Sequence, residues 1–347
     1  MLLKARSLKG MQMPYSRIAV IGGGAWGTAL AHVLSLQGHN VTIWAHEPET
    51  VREIREHRTN QVFLAGISLA QNLEATSSFS DLSETDLCLL VPPAQHLGAI
   101  AGALKDHLPS TTPLVICSKG IEQSSGRLLG EVLENAAPGM TIAALSGPSF
   151  ASDVARGLPA ALTVACANEA IGEEIARSLG SRNLRLYWTS DVVGVQLGGA
   201  IKNVLAIAAG IVDGKQLGAS AHAALVTRGF AEMHRFASAF GAEPQTMAGL
   251  AGLGDLLLTC GSPQSRNMSL GRSLGQGQTL AGILGQRRAV TEGVFTAAAM
   301  AKVADEKGID VPIARAVHAI VEGKISVDDA IQDLMTRPIK PENDISL

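Results

Sequence analysis

The feature that most constrains this chain lies near its start. Ile18-Ala19-Val20-Ile21 runs into Gly22-Gly23-Gly24-Ala25-Trp26-Gly27, and a helical stretch of small and apolar residues follows at 28–37. This is G-x-G-x-x-G between a strand and a helix. Glycines there permit a tight turn and close backbone approach, so the helix N-terminus can face a pyrophosphate. Without that setting the pattern would be weak, because the sequence holds 37 glycines. With strand, turn, helix and a second strand at 41–44, the segment predicts dinucleotide binding, and a glycine turn that merely joins two elements is the plainer alternative.

The rest of the first half continues the alternation expected of a parallel α/β sheet. Strands are predicted at 17–21, 41–44, 86–91, 114–118 and 141–145. Two more β-like runs, 161–165 and 184–188, flank a helix over Glu169–Leu179. After Asp191 the strand signals stop, and runs rich in Ala, Leu and Gly continue to residue 335. The expected fold is therefore α/β: a Rossmann-type parallel-sheet domain over 14–190, then an all-helical C-terminal domain over 191–338. Residues 1–13 and 339–347 are read as tails. No low-complexity linker separates the halves, which favours a helix running directly from one into the other.

Composition narrows the function classes. A net charge of −3 with no basic tract gives nucleic acid no electrostatic footprint. Cys88, Cys117, Cys166 and Cys260 are scattered, without C-x-x-C spacing or a nearby histidine, which argues against a disulfide framework or a zinc site and for a reducing cytosol. His222, His234 and His318 also lack metal-ligand spacing, so no metal is expected. The segment 192–212 could mimic a membrane span, which needs roughly 20 apolar residues. Its one charge, Lys202, would cost about 2.5–3.5 kcal/mol at a bilayer centre, and Gln196, Asn203 and four glycines favour a buried helix of a folded protein.

Several residues could carry chemistry. A lysine buried at 202 would lose pKa and suit proton transfer near neutral pH, although a snorkelling lysine is the plain alternative. Lys119 follows a strand at its carboxyl end, where ligands bind in open sheets and surface lysines are also common. Ser146-Gly147-Pro148-Ser149-Phe150 is either an anion-facing turn or simply a turn. Asp255 in Gly252-Leu253-Gly254-Asp255 reads equally as a helix N-cap. Ser265-Arg266-Asn267 reads as a phosphate clamp or as a solvated loop. At the end of the second strand, Glu47 nominally fits a ribose-binding acid, but His46 precedes it, and Arg52 and Arg55 could meet a 2′-phosphate. The cofactor is therefore expected to be NAD or NADP, without a resolved preference.

The order of the motifs IGGGAWGTALA, CSKGIE, LSGPSFA, GGAIKNVLAIAAGI, GLGDLLLTC, SPQSRN and VTEGV, from about residue 17 to 327, resembles the bacterial NAD(P)-dependent glycerol-3-phosphate dehydrogenase family. The resemblance implies reduction of glycerone phosphate to sn-glycerol 3-phosphate for glycerophospholipid synthesis in the cytoplasm, with Lys202 as the acid/base. It implies substrate contacts at Lys119, Gly147, Ser149, Lys202, Asp255, Ser265, Arg266 and Asn267. It implies cofactor contacts at Gly22, Gly24, Ala25, Trp26, Gly27, His46, Lys119, Ala151, Arg266, Val290 and Glu292. The partner it implies is a phosphorylated triose, with neither nucleic acid nor an integral membrane span, and with a homodimer as one option for assembly. Two other readings remain: a reductase of the β-hydroxyacid dehydrogenase type acting on a carboxylate, and a non-catalytic NAD(P)H sensor.

Overall fold

In the computed structural model, which describes residues 14–285, 291–339 and 341–342, the apolar run after Arg17 becomes a central strand. The sheet half contains β1 (Arg17–Ile21), α1 (Ala25–Leu36), β2 (Asn40–Trp44), α2 (Pro48–His57), β3 (Glu74–Thr76), β4 (Leu87–Leu90) and α3 (Leu97–Leu104). It continues through β5 (Leu114–Ile116), α4 (Leu129–Ala136), β6 (Ile142–Ser146), α5 (Ala151–Ala155), β7 (Ala160–Cys166), α6 (Glu169–Leu179) and β8 (Leu184–Thr189). Spatial order is β3-β2-β1-β4-β5-β6-β7-β8. Val20 of β1 is flanked by Ile43 of β2 and Leu89 of β4, all fully buried. Burial on both faces explains why these strands read as continuous apolar runs. The winding reverses between β1 and β4, which opens a crevice at the carboxyl ends of the strands.

Two features depart from the parallel sheet expected. β7 runs antiparallel to β6, while every other pair is parallel. In the connection between them, residues 147–159, only the five of α5 are helical, and a helix of that length rises about 7.5 Å, less than the strand it would have to retrace. β3 is an unforeseen edge strand. Its three residues, Glu-Ala-Thr, have no apolar run and exist through pairing with β2.

The remaining elements are helical: α7 (Val192–Gly214), α8 (Ala219–Ser238), α9 (Pro244–Ala248), a π-helical turn Leu250–Gly254 and α10 (Asp255–Cys260). Then follow α11 (Arg266–Gly275), α12 (Leu280–Gly285), α13 (Glu292–Lys307), α14 (Pro312–Val321) and α15 (Val327–Met335). Helix α7 passes from one core to the other: Val195 packs with the sheet-side cluster, and Leu197 through Ile211 belong to the helical core. By length and composition α7 could cross a membrane, yet its apolar stretch is buried within the protein. Its start is fixed by Asp191, whose Oδ1 accepts the Gly194 N–H at 2.7 Å and whose Oδ2 accepts the Glu243 N–H at 2.9 Å.

Glycines decide how α7 meets α11. A Cβ on Gly210 would lie 2.0 Å from the Met268 carbonyl oxygen, and one on Gly271 would lie 1.9 Å from that of Ile207. The two backbones touch, which no larger residue permits. This contact brings the first turn of α11, with Arg266 and Asn267, beside Lys202 and Asn203 of α7.

Candidate active site

The crevice at the strand ends is a cleft of about 890 Å³. One wall is the glycine turn, Gly22 to Gly27, with Trp44, His46 and Glu47. The other holds Lys202, Asn203, Thr259, Ser265, Arg266 and Asn267, with Lys119, Ser149, Ala151 and Glu292 between them. Fourteen of the predicted site residues thus line one space. Gly147 and Asp255 stand behind it, and Val290 lies outside the described residues.

Asp255 is the hinge of the polar arrangement. Its side chain is fully buried. Lys202 Nζ donates to its Oδ1 at 2.5 Å and Lys119 Nζ to its Oδ2 at 2.6 Å. Lys202 also donates to Thr259 Oγ1 at 2.9 Å, and Lys119 to the Gly147 carbonyl at 3.3 Å. An ammonium has three hydrogens, so each lysine keeps one for the cleft. The N-cap reading of Asp255 is corrected: Gly254 occupies the cap position, and the carboxylate turns inward instead. Lys202 is likewise neither snorkelling nor among apolar neighbours alone, because a carboxylate and a hydroxyl meet it.

The charges tune one another. Burial depresses the Lys202 pKa to about 8; Asp255 opposes the shift and the Lys119 ammonium adds to it. Burial alone would raise the Asp255 carboxyl, but Lys119 and Lys202 hold it below the usual carboxylate value. Two ammoniums and one carboxylate leave one net positive charge at the foot of the cleft, suited to an anionic ligand.

Around this centre, the Ser149 hydroxyl donates to the Gly147 carbonyl at 3.2 Å. Ser265 caps α11 by accepting the Met268 N–H at 3.2 Å. Asn267 is held at both ends: its amide nitrogen donates to Asn203 Oδ1 at 2.9 Å, and its oxygen accepts the Gly293 N–H at 3.1 Å. Glu292 Oε1 accepts the Ala94 N–H at 3.0 Å; burial raises its pKa, with Ala94 and Arg266 opposing. Ser152 donates to Gln264 at 3.1 Å across the cleft mouth. Arg55, weighed as a phosphate contact, has its Nε on the Ala75 carbonyl at 2.6 Å, and Arg52 does not line the cleft. Cys260 is buried and its thiol pushed up to about 12, unsuited to nucleophilic work.

The residues fit a dinucleotide. A Cβ at Gly27 would stand 2.0 Å from the Gly22 carbonyl oxygen, whereas one at Gly24 would meet nothing within 4 Å, so the turn is tight behind and open in front. No side chain caps the first turn of α1, which leaves backbone donors for an anion. The indole Nε1 atoms of Trp26 and Trp44 and Glu292 Oε2 are buried without a hydrogen-bond partner. Reading the sequence missed Thr259 and Asn203. Thr259 lies one helical turn after Asp255 and Asn203 next to Lys202, so spacing from those two residues was the available signal.

Comparison with known proteins gives a consistent picture. Residues 17–172 match the model of the NAD-dependent glycerol-3-phosphate dehydrogenase N-terminus, and 191–332 that of its C-terminus. A glycerol-3-phosphate dehydrogenase [NAD(P)+] of Parvibaculum lavamentivorans is 50% identical over 332 residues, covering 96% of this chain and 100% of the relative. The enzyme of the same name from Caulobacter vibrioides is 52% identical over 330 residues, covering 95% and 100%. Among solved structures, glycerol-3-phosphate dehydrogenase from Coxiella burnetii aligns with a TM-score of 0.89 at 35% identity, covering 93% of this chain and 99% of that one.

Proposed function

The chain belongs to the NAD-dependent glycerol-3-phosphate dehydrogenase family, and from that membership we propose how its cleft interconverts glycerone phosphate and sn-glycerol 3-phosphate with NAD or NADP. The observation that carries the reading is the pair of ammoniums, Lys202 and Lys119, anchored on one buried carboxylate beside the glycine turn. The physiological direction is reduction, in the cytoplasm, feeding glycerolipid synthesis.

The bound nicotinamide supplies or accepts the hydride. As charge grows on the ketone oxygen during reduction, Lys202 Nζ stabilises it and delivers the proton; in the reverse direction neutral Lys202 takes the hydroxyl proton. Asp255 and Thr259 fix Nζ in position, so the amine need not reorganise as the substrate reacts. Arg266, at the rim, clamps the phosphate end together with Asn267, which converts a loose encounter into aligned reactants. Lys119 adds charge for the substrate and lowers the Lys202 pKa.

The assignment is tested by following reduced nicotinamide absorbance with glycerone phosphate and with a carboxylate ketone, using each cofactor in turn. Turnover of the phosphorylated ketone is expected. Turnover of the carboxylate alone would transfer the protein to the β-hydroxyacid type. Arg266→Ala is expected to raise the substrate KM about 10- to 100-fold, the worth of a charge-assisted hydrogen bond; an unchanged KM would remove Arg266 from the phosphate site.

The pH dependence has a definite sign. Reduction needs protonated Lys202, so kcat/KM should fall as pH rises through about 8. Oxidation needs the neutral amine and should rise through the same value. Profiles that slope the same way in both directions would rule out one group serving as acid and base.

A further inference from the structure

Asn60 lies in the connection between α2 and β3, outside every motif singled out above, and its side chain is fully buried. Its Nδ2 donates to the Gly23 carbonyl and to Thr28 Oγ1, each at 2.8 Å, and the Thr28 hydroxyl itself donates to the Gly23 carbonyl at 3.3 Å. Thr28 Oγ1 therefore accepts from Asn60, which fixes the sense of the amide. Flanking residues hold the segment: Thr59 Oγ1 and the Gln61 N–H both donate to Glu53 Oε1, at 2.8 and 2.7 Å. Three residues further on, Phe63, Leu64 and Ala65 line the cleft.

A planar trans peptide points its C=O and N–H in opposite directions, and the described chain has no cis bond. The Gly23 carbonyl is drawn inward by Asn60 and Thr28, so the N–H of the same peptide, on Gly24, must face away from them. Gly24 lines the cleft, and a Cβ there would meet open space. With glycine on both sides, this peptide meets little steric resistance to flipping. A flip would present an oxygen to an anion in place of a hydrogen.

We infer that Asn60 is a positioning residue that latches the Gly23–Gly24 peptide so that the Gly24 N–H is aimed at the cofactor pyrophosphate. The inference rests on the cofactor reading above. It makes Asn60 specific for the cofactor's pyrophosphate, not for the substrate phosphate or for the fold as such.

The test is competition of ADP and of adenosine against NADH, read by nicotinamide fluorescence, in wild type and Asn60→Ala, with thermal melting of the free proteins alongside. Asn60→Ala should weaken ADP about 10- to 100-fold, the loss of one charge-assisted hydrogen bond. Adenosine affinity, substrate KM and kcat at saturating cofactor should stay unchanged. Thr28→Val, which removes the anchor for the second Asn60 hydrogen, should show a smaller loss in the same sense, and it serves as the test if Asn60→Ala does not fold. Equal loss of ADP and adenosine, or no loss of either, would overturn the latch. Failure of the wild-type protein to bind either NADH or NADPH would instead overturn the cofactor reading.

Discussion

Lys202→Met is expected to lower turnover by about 10⁴-fold or more, combining the loss of a positioned proton donor with the loss of charge stabilisation at the ketone oxygen. Methionine nearly matches the lysine stem in length and leaves Asp255 paired with Lys119 at 2.6 Å. The buried carboxylate thus keeps a counter-ion, and the variant should fold. The glycine turn, Trp26, His46 and Ala151 are untouched, so NADH affinity should stay within about twofold of wild type, as for an interaction made only in the transition state. Steady-state rates together with NADH titration check both halves. Turnover near the wild-type rate would refute the role given to Lys202.

Asp255→Asn is expected to be the most disruptive single-atom change in the protein. Lys119 and Lys202 both end on this carboxylate, and an amide would leave two ammoniums close together without their shared counter-ion. Breaking a buried pair by neutralising one partner costs about 3–5 kcal/mol, so a large fall in melting temperature is expected. The chemistry should suffer separately. Asp255 raises the Lys202 pKa against burial and Lys119, and without it the amine loses its proton at lower pH. The falling limb of the reduction profile should therefore move to the acid side. The linkage also has a sign. The Asp255 pKa is depressed in the folded protein, so its stabilisation is present above the ordinary aspartate value and lost as pH falls through the folded one. Calorimetry as a function of pH would show that acid-side loss in wild type and its absence in Asp255→Asn.

Local pattern carries much of this fold. The apolar runs feeding β1, β2, β4 and β5, and the glycine turn before α1, are legible because each strand is buried on both faces and the turn has one chemical purpose. β3 was not legible, since three residues at a sheet edge need no apolar signature of their own. The antiparallel β6–β7 pair was missed for another reason: the length of α5, not its composition, sets the direction of return.

The site divides in the same way. Lys202 stands out as one charge in a long apolar helix, but its partner Asp255 lies 53 positions away, and only the packing of α10 against α7 unites them. Asn60 carries no local mark at all, because what it holds is a carbonyl 37 positions earlier. Glycines at 210 and 271 read as composition until the backbone contact between α7 and α11 gives them a reason.

Lys202, and not its neighbour Lys119, handles the proton, and a single-turnover comparison of the two lysines separates their roles. Enzyme saturated with NADH is mixed with excess glycerone phosphate, and the hydride step is followed for Lys202→Met and Lys119→Met across pH. Lys202→Met should lose the step at every pH. Lys119→Met should retain it, with its pH limb moved to the alkaline side because a like charge beside Lys202 has gone. A Lys202→Met enzyme that transfers hydride at a rate near wild type, with Lys119→Met silent, would contradict that assignment.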